Sequence, residues 1–221
     1  DRDDYEPKQA GSLKEIERGD IRFEHVSFSY DGKRDVLKEI SFEVKNGQTI
    51  AFVGHTGSGK SSIINLFMRF YEFDRGQILI DGQDIKDYSQ EALRKSIGLV
   101  LQEPFLYHGT IASNIRMYHE ELTDEEIRQA AAFVDVADFI ESLPGGYDHP
   151  VTERGSTLST GQRQLLAFAR TIAAQPKILI LDEATANIDQ ETEEMIQNSL
   201  KKMRQGRTTI AIAHRLSTIQ D

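Results

Sequence analysis

The chain has 221 residues, a formal net charge of −10, 38% hydrophobic residues and no cysteine. This length can bury a substantial core, so we expect one large domain or a domain with a subdomain. The acidic balance disfavours a nucleic-acid partner, because neutralising phosphates requires a basic surface. The absence of cysteine excludes a disulfide framework. The longest apolar runs are far shorter than the roughly 20 residues that span a bilayer.

The first part of the chain predicts an antiparallel layer that leads into a buried strand. Residues 1–19 are charged and lack sustained periodicity, so they are interpreted as a linker or arm. Alternating residues over 21–30 and the segment 37–44 predict two strands separated by an Asp-Gly turn. An Asn-Gly turn at 46–47 then leads into the apolar run 50–53. This opening predicts an antiparallel layer beside a parallel core.

The rest of the chain predicts that parallel core, interrupted by helices. A helical pattern from 111 to about 143 is broken by Pro-Gly-Gly at 144–146, and we interpret it as an insertion between core strands. The continuous apolar run 178–181 is typical of a central parallel strand. The other predicted elements are a helix at 63–70, strands at 77–80 and 97–101, a short helix at 89–95, a helix from Ser159, a helix at 190–203 and a strand at 208–213.

The segment 54–61 has the pattern of a phosphate-binding loop, Gly-x-x-x-x-Gly-Lys-Ser, between an apolar strand and a helical pattern. Its glycines permit successive N–H groups to point into one concavity, and the following helix adds the positive end of its dipole. Lys60 would reach the β- and γ-phosphates of a nucleoside triphosphate, and Ser61 would supply a hydroxyl to Mg²⁺. A chance match is the alternative, but the flanking strand and helix make it rare. The candidate phosphate-binding residues are Gly54, Thr56, Gly57, Ser58, Gly59, Lys60, Ser61 and Ser62.

Two further stretches carry candidate chemistry. Asp182 and Glu183 end a predicted core strand, where in a phosphate-loop enzyme one acid holds Mg²⁺ and a second polarises the attacking water or accepts its proton. Two surface carboxylates are the alternative. The segment 158–162, Leu-Ser-Thr-Gly-Gln, opens a helix. Ser159 and Gln162 form a capping-box pattern that needs no ligand, although a helix start rich in small residues also suits phosphate.

In this order, the phosphate loop, the helical insertion, the Ser-x-Gly-Gln helix start and the Asp-Glu strand end resemble the ATP-binding-cassette ATPases over nearly all of 21–221. The resemblance implies an α/β fold: a P-loop NTPase core with a mainly parallel sheet, an N-terminal antiparallel β-subdomain and an inserted α-helical subdomain at about 110–175. It also implies a nucleotide-binding domain over 20–221, preceded by a linker at 1–19 from a transmembrane domain. The implied ligands are ATP and Mg²⁺.

The resemblance also implies a role for individual residues. Gln102 matches the family's Q-loop glutamine, His214 the switch histidine that contacts the γ-phosphate, and Tyr30 the aromatic residue that stacks on adenine. Taken singly, Tyr30 and His214 could be ordinary packing residues. The candidate catalytic residues are Glu183 as general base, His214, Gln102 and Lys60, and the candidate Mg²⁺ ligands are Ser61, Gln102 and Asp182. The helix-start residues Ser159, Gly161 and Gln162 would serve the nucleotide of a second domain that faces this one head to tail.

Four short stretches, at 102–106, 109–111, 114–115 and 152–155, resemble the exporter branch of the family. In that branch the last stretch is thought to contact the transmembrane domain. The chain is therefore expected to work at the cytoplasmic face of the cell membrane, hydrolysing ATP to export a substrate that is drug-like or lipid-like. The substrate itself is not readable here. The alternatives are a soluble cassette ATPase acting on nucleic acid or the ribosome, and a non-hydrolysing nucleotide-binding regulator.

Three features depart from the family pattern. Thr160 stands where the signature usually has glycine, and 186–189 reads Ala-Asn-Ile-Asp rather than the commoner Ser-Ala-Leu-Asp. With an intact catalytic side, this combination resembles one half of a heterodimeric exporter, although a homodimer that tolerates Thr160 remains open. The chain also ends at Asp221, where the family usually continues, so we expect a part of a longer membrane protein.

Overall fold

The computed structural model describes residues 13, 15–29, 37–53, 75–101, 104–117, 119–152, 157–183 and 189–213. Within these residues the strands are β1 (Ile21–Phe28), β2 (Leu37–Val44), β3 (Thr49–Val53), β4 (Arg75–Ile80), β5 (Gln83–Asp84), β6 (Ile97–Val100), β7 (Gly109–Thr110), β8 (Pro150–Val151), β9 (Ile178–Glu183) and β10 (Thr208–Ala213). The helices are α1 (Gln90–Ser96), α2 (Ile111–Arg116), α3 (Asp124–Phe133), α4 (Ala137–Ser142), α5 (Thr160–Ala173) and α6 (Gln190–Arg204), with 3₁₀ turns at Ile85–Asp87 and Gly146–Asp148.

An antiparallel sheet in the order β2-β1-β4-β5 forms the N-terminal layer. The inner strand β1 pairs with both β2 and β4, and its register shifts on both sides. Its Phe23 stacks on Phe42 of β2 with ring centroids 4.4 Å apart. The predicted antiparallel layer is therefore confirmed.

A parallel sheet in the order β3-β10-β9-β6 forms the core. Strand β9 is buried on both faces, as its unbroken apolar sequence predicts. Ile178 and Ile180 pack with the antiparallel sheet, while Leu179 and Leu181 pack with the helices, because alternate residues of a strand point to opposite faces. The sheet thus separates two hydrophobic clusters, and burying both faces holds the strand register tightly.

The helical insertion is confirmed, but it consists of three helices rather than one continuous pattern. Helix α2 ends at Arg116, and the next residue, Met117, has a φ of 52°, which lies outside the helical region. Helix α3 then starts with a capping box in which Thr123 and Glu126 bind each other's backbone N–H groups. Helices α2 and α3 pack on α5, whereas α4 packs on α3. The buried apolar residues of all three inserted helices form one cluster with those of α5. Helix α5 therefore lies between the insertion and the parallel sheet.

The segment 15–20 lies against the two sheets. The carboxylate of Asp81, in the turn between β4 and β5, accepts four backbone N–H groups from residues 17–20 at 2.9–3.0 Å. Ile16 is 1% exposed, and Leu13 pairs with Tyr88 through backbone hydrogen bonds to neighbouring residues. This part of the predicted linker is thereby attached to the domain. Residues 1–12 and 14 lie outside the described residues.

Candidate functional site

The carboxyl ends of four parallel strands meet at one edge of the central sheet. In the observed register, Ala213 of β10 lies between Val53 of β3 and Glu183 of β9. Val100, the last residue of β6, lies beside Leu181 of β9. In open α/β sheets, ligands bind outside the carboxyl ends of the strands. This edge is therefore the candidate site.

Most of the predicted site residues follow these strand ends in sequence. The loop 54–62 follows β3, Gln102 comes two residues after β6, Glu183 ends β9, and His214 follows β10. The strand order thus joins chain positions that are far apart in sequence. The side chains outside the described part of the structure are those of Tyr30, Gly54, Thr56, Gly57, Ser58, Gly59, Lys60, Ser61, Ser62, Gln102, Glu183 and His214. The helix predicted at 63–70, the exporter-like residues 153–155 and residues 186–188 lie outside it too.

Asp182 is the one predicted Mg²⁺ ligand whose side chain the structure describes. It lies opposite Ile212 of β10, one residue before β9 ends, and its side chain is half-buried. Carboxylate oxygens are hard donors that suit Mg²⁺. Over the described ranges, no group of three His, Asp or Glu side chains could hold a metal ion. A complete ligand set would therefore need donors from outside these ranges, as the prediction of Ser61 and Gln102 requires.

The start of helix α5 has the capping box that its sequence predicts. The Ser159 hydroxyl accepts the Gln162 N–H at 3.1 Å, and Gln162 Oε1 accepts the Ser159 N–H at 3.0 Å. Gly161 is buried, whereas Thr160 is exposed and lies 3.4 Å from the Arg163 guanidinium through its hydroxyl. The interpretation of this segment as a helix cap is therefore confirmed. It does not exclude the phosphate reading, because the N–H groups of Thr160 and Gly161 precede the first hydrogen bonds within the helix.

Asp189 caps helix α6 and has a perturbed carboxyl group. Its side chain accepts the Thr192 N–H at 3.0 Å. Hydrogen bonds from the Thr192 side chain and then from its backbone hold the pKa of Asp189 below the ordinary value of 3.8. A negative charge at this position also favours the positive end of the helix dipole. Within the stretch 186–189, Asp189 is the residue that the structure describes, and its role there is to cap helix α6.

The sequence interpretation missed two features of the segment that follows β6. Phe105 and Tyr107, which pack edge to face with ring centroids 4.6 Å apart, are 46% and 44% exposed. We call these two residues the aromatic pair. Leu101, the residue after β6, is 48% exposed. A second feature is a hydrogen-bonded link between Asn114 and Arg170 of helix α5. The aromatic pair has some sequence signal, because Phe105 and Tyr107 lie two residues apart on either side of Leu106. The link between Asn114 and Arg170 joins residues 56 positions apart and has none.

Comparison with known proteins gives a consistent result. The ABC transporter family matches residues 37–186. The chain is 71% identical over 217 residues to a Streptococcus pneumoniae protein named as an ABC transporter ATP-binding protein, covering 98% of this chain and 37% of that protein. It is 48% identical to the β-(1→2)glucan export ATP-binding/permease protein of Agrobacterium vitis, covering 100% of this chain and 37% of that protein.

A solved structure has the same fold. The structure of a bacterial Atm1-family ABC exporter with ATP bound matches with a TM-score of 0.85 and 45% sequence identity, over 96% of this chain and 37% of that chain. The chain thus spans little more than a third of the length of these relatives. In the part of the chain that the structure describes, no helix is long and apolar enough to cross a membrane.

Proposed function

The chain belongs to the ABC transporter family, and we propose that it binds ATP with Mg²⁺ and hydrolyses it to drive export of a substrate across a membrane. Family membership confirms the predicted ATP-binding ATPase class, and the structural match confirms the predicted α/β fold. The observation that carries the proposal is the shared edge of β3, β10, β9 and β6. At this edge, the strands that lead into the phosphate loop, the acidic pair and the switch histidine are neighbours.

At this edge the proposed roles follow from the chemistry of each side chain. Lys60 and the loop N–H groups bind the ATP phosphates, and Tyr30 stacks on the adenine. Glu183 accepts the proton of the attacking water, while His214 contacts the γ-phosphate. Asp182, Ser61 and Gln102 would hold Mg²⁺, which neutralises charge that develops on the phosphates. The half-buried carboxylate of Asp182 at the strand end suits this ion.

We propose that a second nucleotide-binding domain completes each site. The helix start formed by Ser159, Gly161 and Gln162 would contact the nucleotide held by the partner's phosphate loop. Two observations support this arrangement: Ser159 and Thr160 are exposed, and the capping box holds the helix start in a defined conformation. The branched side chain of Thr160 would lie near the partner's nucleotide. Thr160 therefore bears on whether the second domain is a copy of this chain or a different chain.

The transmembrane partner and the location are part of the same proposal. We assign 20–221 to the ATPase domain, with a helical subdomain at about 110–175, and 1–19 to the connection with a transmembrane domain at the cytoplasmic face of the membrane. The exposed aromatic pair supports a protein contact beside β6, because aromatic residues are enriched at the buried centres of interfaces. Relatives are named for different substrates: one is a β-(1→2)glucan exporter and another is a fatty acid ABC transporter. For this chain we propose a drug-like or lipid-like substrate.

Replacing the proposed general base tests the function directly. Glu183→Gln keeps the size of the side chain but cannot accept a proton, so ATP should bind without turnover. The variant should form an ATP-dependent dimer in size-exclusion chromatography, while the wild-type chain releases phosphate. Unchanged phosphate release and a monomer at saturating ATP would contradict the role of Glu183. Turnover that rises on adding nucleic acid would favour the soluble alternative.

A mixing experiment addresses the second domain. If Thr160 weakens the opposite site, turnover of this chain alone should be low and should rise when a chain with the usual glycine at that signature position is added. Full cooperative turnover by this chain alone would contradict the heterodimer.

A further inference from the structure

We propose that Asn114 and Arg170 are positioning residues, which join the segment 104–110 to helix α5 so that both respond to ATP as one unit. The segment begins two residues after Gln102, and helix α5 begins at the Ser159 cap. The inference rests on the proposed function, because it connects the proposed sensor of one site with the helix that serves the opposite site.

Asn114 uses every polar group of its side chain to hold the segment. It is 2% exposed. Its Nδ2 donates to the carbonyls of Tyr107 and Thr110, both at 2.9 Å, and its Oδ1 accepts the Tyr107 N–H at 2.7 Å. A buried amide with satisfied donors and acceptors fixes its surroundings, because any displacement leaves a polar group unpaired. Residues 107–110 are therefore fastened to helix α2.

Arg170, on helix α5, binds Asn114 and so joins the segment to that helix. Its Nε donates to the Asn114 carbonyl at 2.8 Å, and an Nη2 contact to Asn114 Oδ1 measures 3.4 Å. The guanidinium carbon also lies 6.0 Å from the centre of the Tyr107 ring, within the range of a cation–π contact. One planar side chain thus contacts the backbone of α2, the buried amide and a ring of the aromatic pair.

The helix can carry a displacement from this link to the signature. Arg170 follows Thr160 by ten residues, which is about 15 Å along a helix at 1.5 Å per residue. Nine residues of α5 are buried. Because a closely packed helix resists bending, we expect it to move as a rigid body. A shift of the segment 104–110, caused by ATP or by a protein that contacts the aromatic pair, would therefore reach the Ser159 cap through Arg170.

The test uses Arg170→Met, which retains an unbranched apolar stem and removes the guanidinium. The matched control is Arg128→Met, because Arg128 on helix α3 makes a comparable contact, 5.7 Å from the centre of the Tyr147 ring. For Arg170→Met we expect kcat for ATP hydrolysis to fall roughly 3- to 30-fold, which is the change in rate that corresponds to the coupling energies found in packed networks. The KM for ATP should stay within about twofold, because the residues proposed to bind the phosphates are unchanged. Arg128→Met should leave both constants unchanged.

Hydrogen exchange separates positioning from a purely structural role. In the wild-type chain, saturating ATP should slow exchange in peptides covering 104–110 and 157–163 together. In Arg170→Met, ATP should protect only one of the two. A structural defect would instead raise exchange in both peptides with and without ATP. Arg170→Lys keeps the positive charge and hydrogen-bond donors on a single nitrogen, so it should lie between wild type and Arg170→Met.

The outcomes that overturn the inference are distinct from those that overturn the function. Joint protection of both peptides in Arg170→Met, or equal losses of kcat in Arg170→Met and the control, would refute the positioning role while wild-type turnover stands. A wild-type chain without turnover and without ATP-dependent exchange would refute the proposed function, and this inference with it.

Discussion

Replacing Gly98 by alanine should destabilise the domain at the contact between β6 and helix α5. A Cβ at this position would lie 2.7 Å from Cγ2 of Thr171, 2.9 Å from Cγ of Pro176 and 3.1 Å from Cδ2 of Leu179. The first two distances are shorter than real Cβ contacts. Thr171 is 9% exposed and β-branched, so it has few other rotamers, and the proline ring is stiff. The strand or the helix must therefore shift.

Overpacking of this kind typically costs about 1–3 kcal/mol. For a domain of this size, that corresponds to a melting temperature lower by roughly 2–12 °C. Thermal unfolding and urea denaturation would measure the loss. Adding Thr171→Ser removes the nearest methyl group but keeps the hydroxyl that donates to the Ala167 carbonyl at 3.0 Å. The double variant should therefore recover part of the stability, whereas Thr171→Ser alone should cost about 1 kcal/mol for its methyl group. A Gly98→Ala domain as stable as wild type, or a double variant no better than Gly98→Ala, would refute the reasoning.

Three further predictions concern hydrogen bonds of single side chains. Asp81→Ala should release residues 17–20 and cost about 1–3 kcal/mol, seen as faster hydrogen exchange in that segment, while unchanged exchange would argue against the anchor. Ser159→Ala should cost about 0.5–2 kcal/mol in urea denaturation through loss of the cap, and Ser159→Asn should cost less. The stability that Asp189 adds over Asp189→Ala should be complete above its ordinary pKa of 3.8 and should disappear as the pH falls through its lowered folded-state pKa. In Asp189→Asn, whose cap does not titrate, the advantage over alanine should not depend on pH in this range; a pH-independent advantage of Asp189 itself would contradict the shift.

Local sequence patterns predicted most elements of the fold because they record burial directly. The run Ile178–Leu181 forms a strand covered on both faces, and the predicted strand at 208–213 has the bounds Thr208–Ala213. Capping residues mark helix starts equally well, since Ser159 and Gln162 bind each other's backbone as their spacing requires. The helical insertion was predicted as a region, but its division at Met117 was not. A positive φ at a methionine depends on tertiary packing rather than on a turn residue.

The sequence alone determined the family of this protein and its candidate chemistry, because the phosphate loop, the capped helix start and the acidic strand end are short patterns with local physical causes. Only the tertiary structure decided which strand ends are neighbours, since in the order β3-β10-β9-β6 the strand β3 pairs with β10, more than a hundred residues further along the chain. It also decided that Asp81 anchors residues 17–20 and that Arg170 joins Asn114. Such contacts depend on chain reversal and packing, and a hydrogen bond between distant residues leaves no periodicity in either segment.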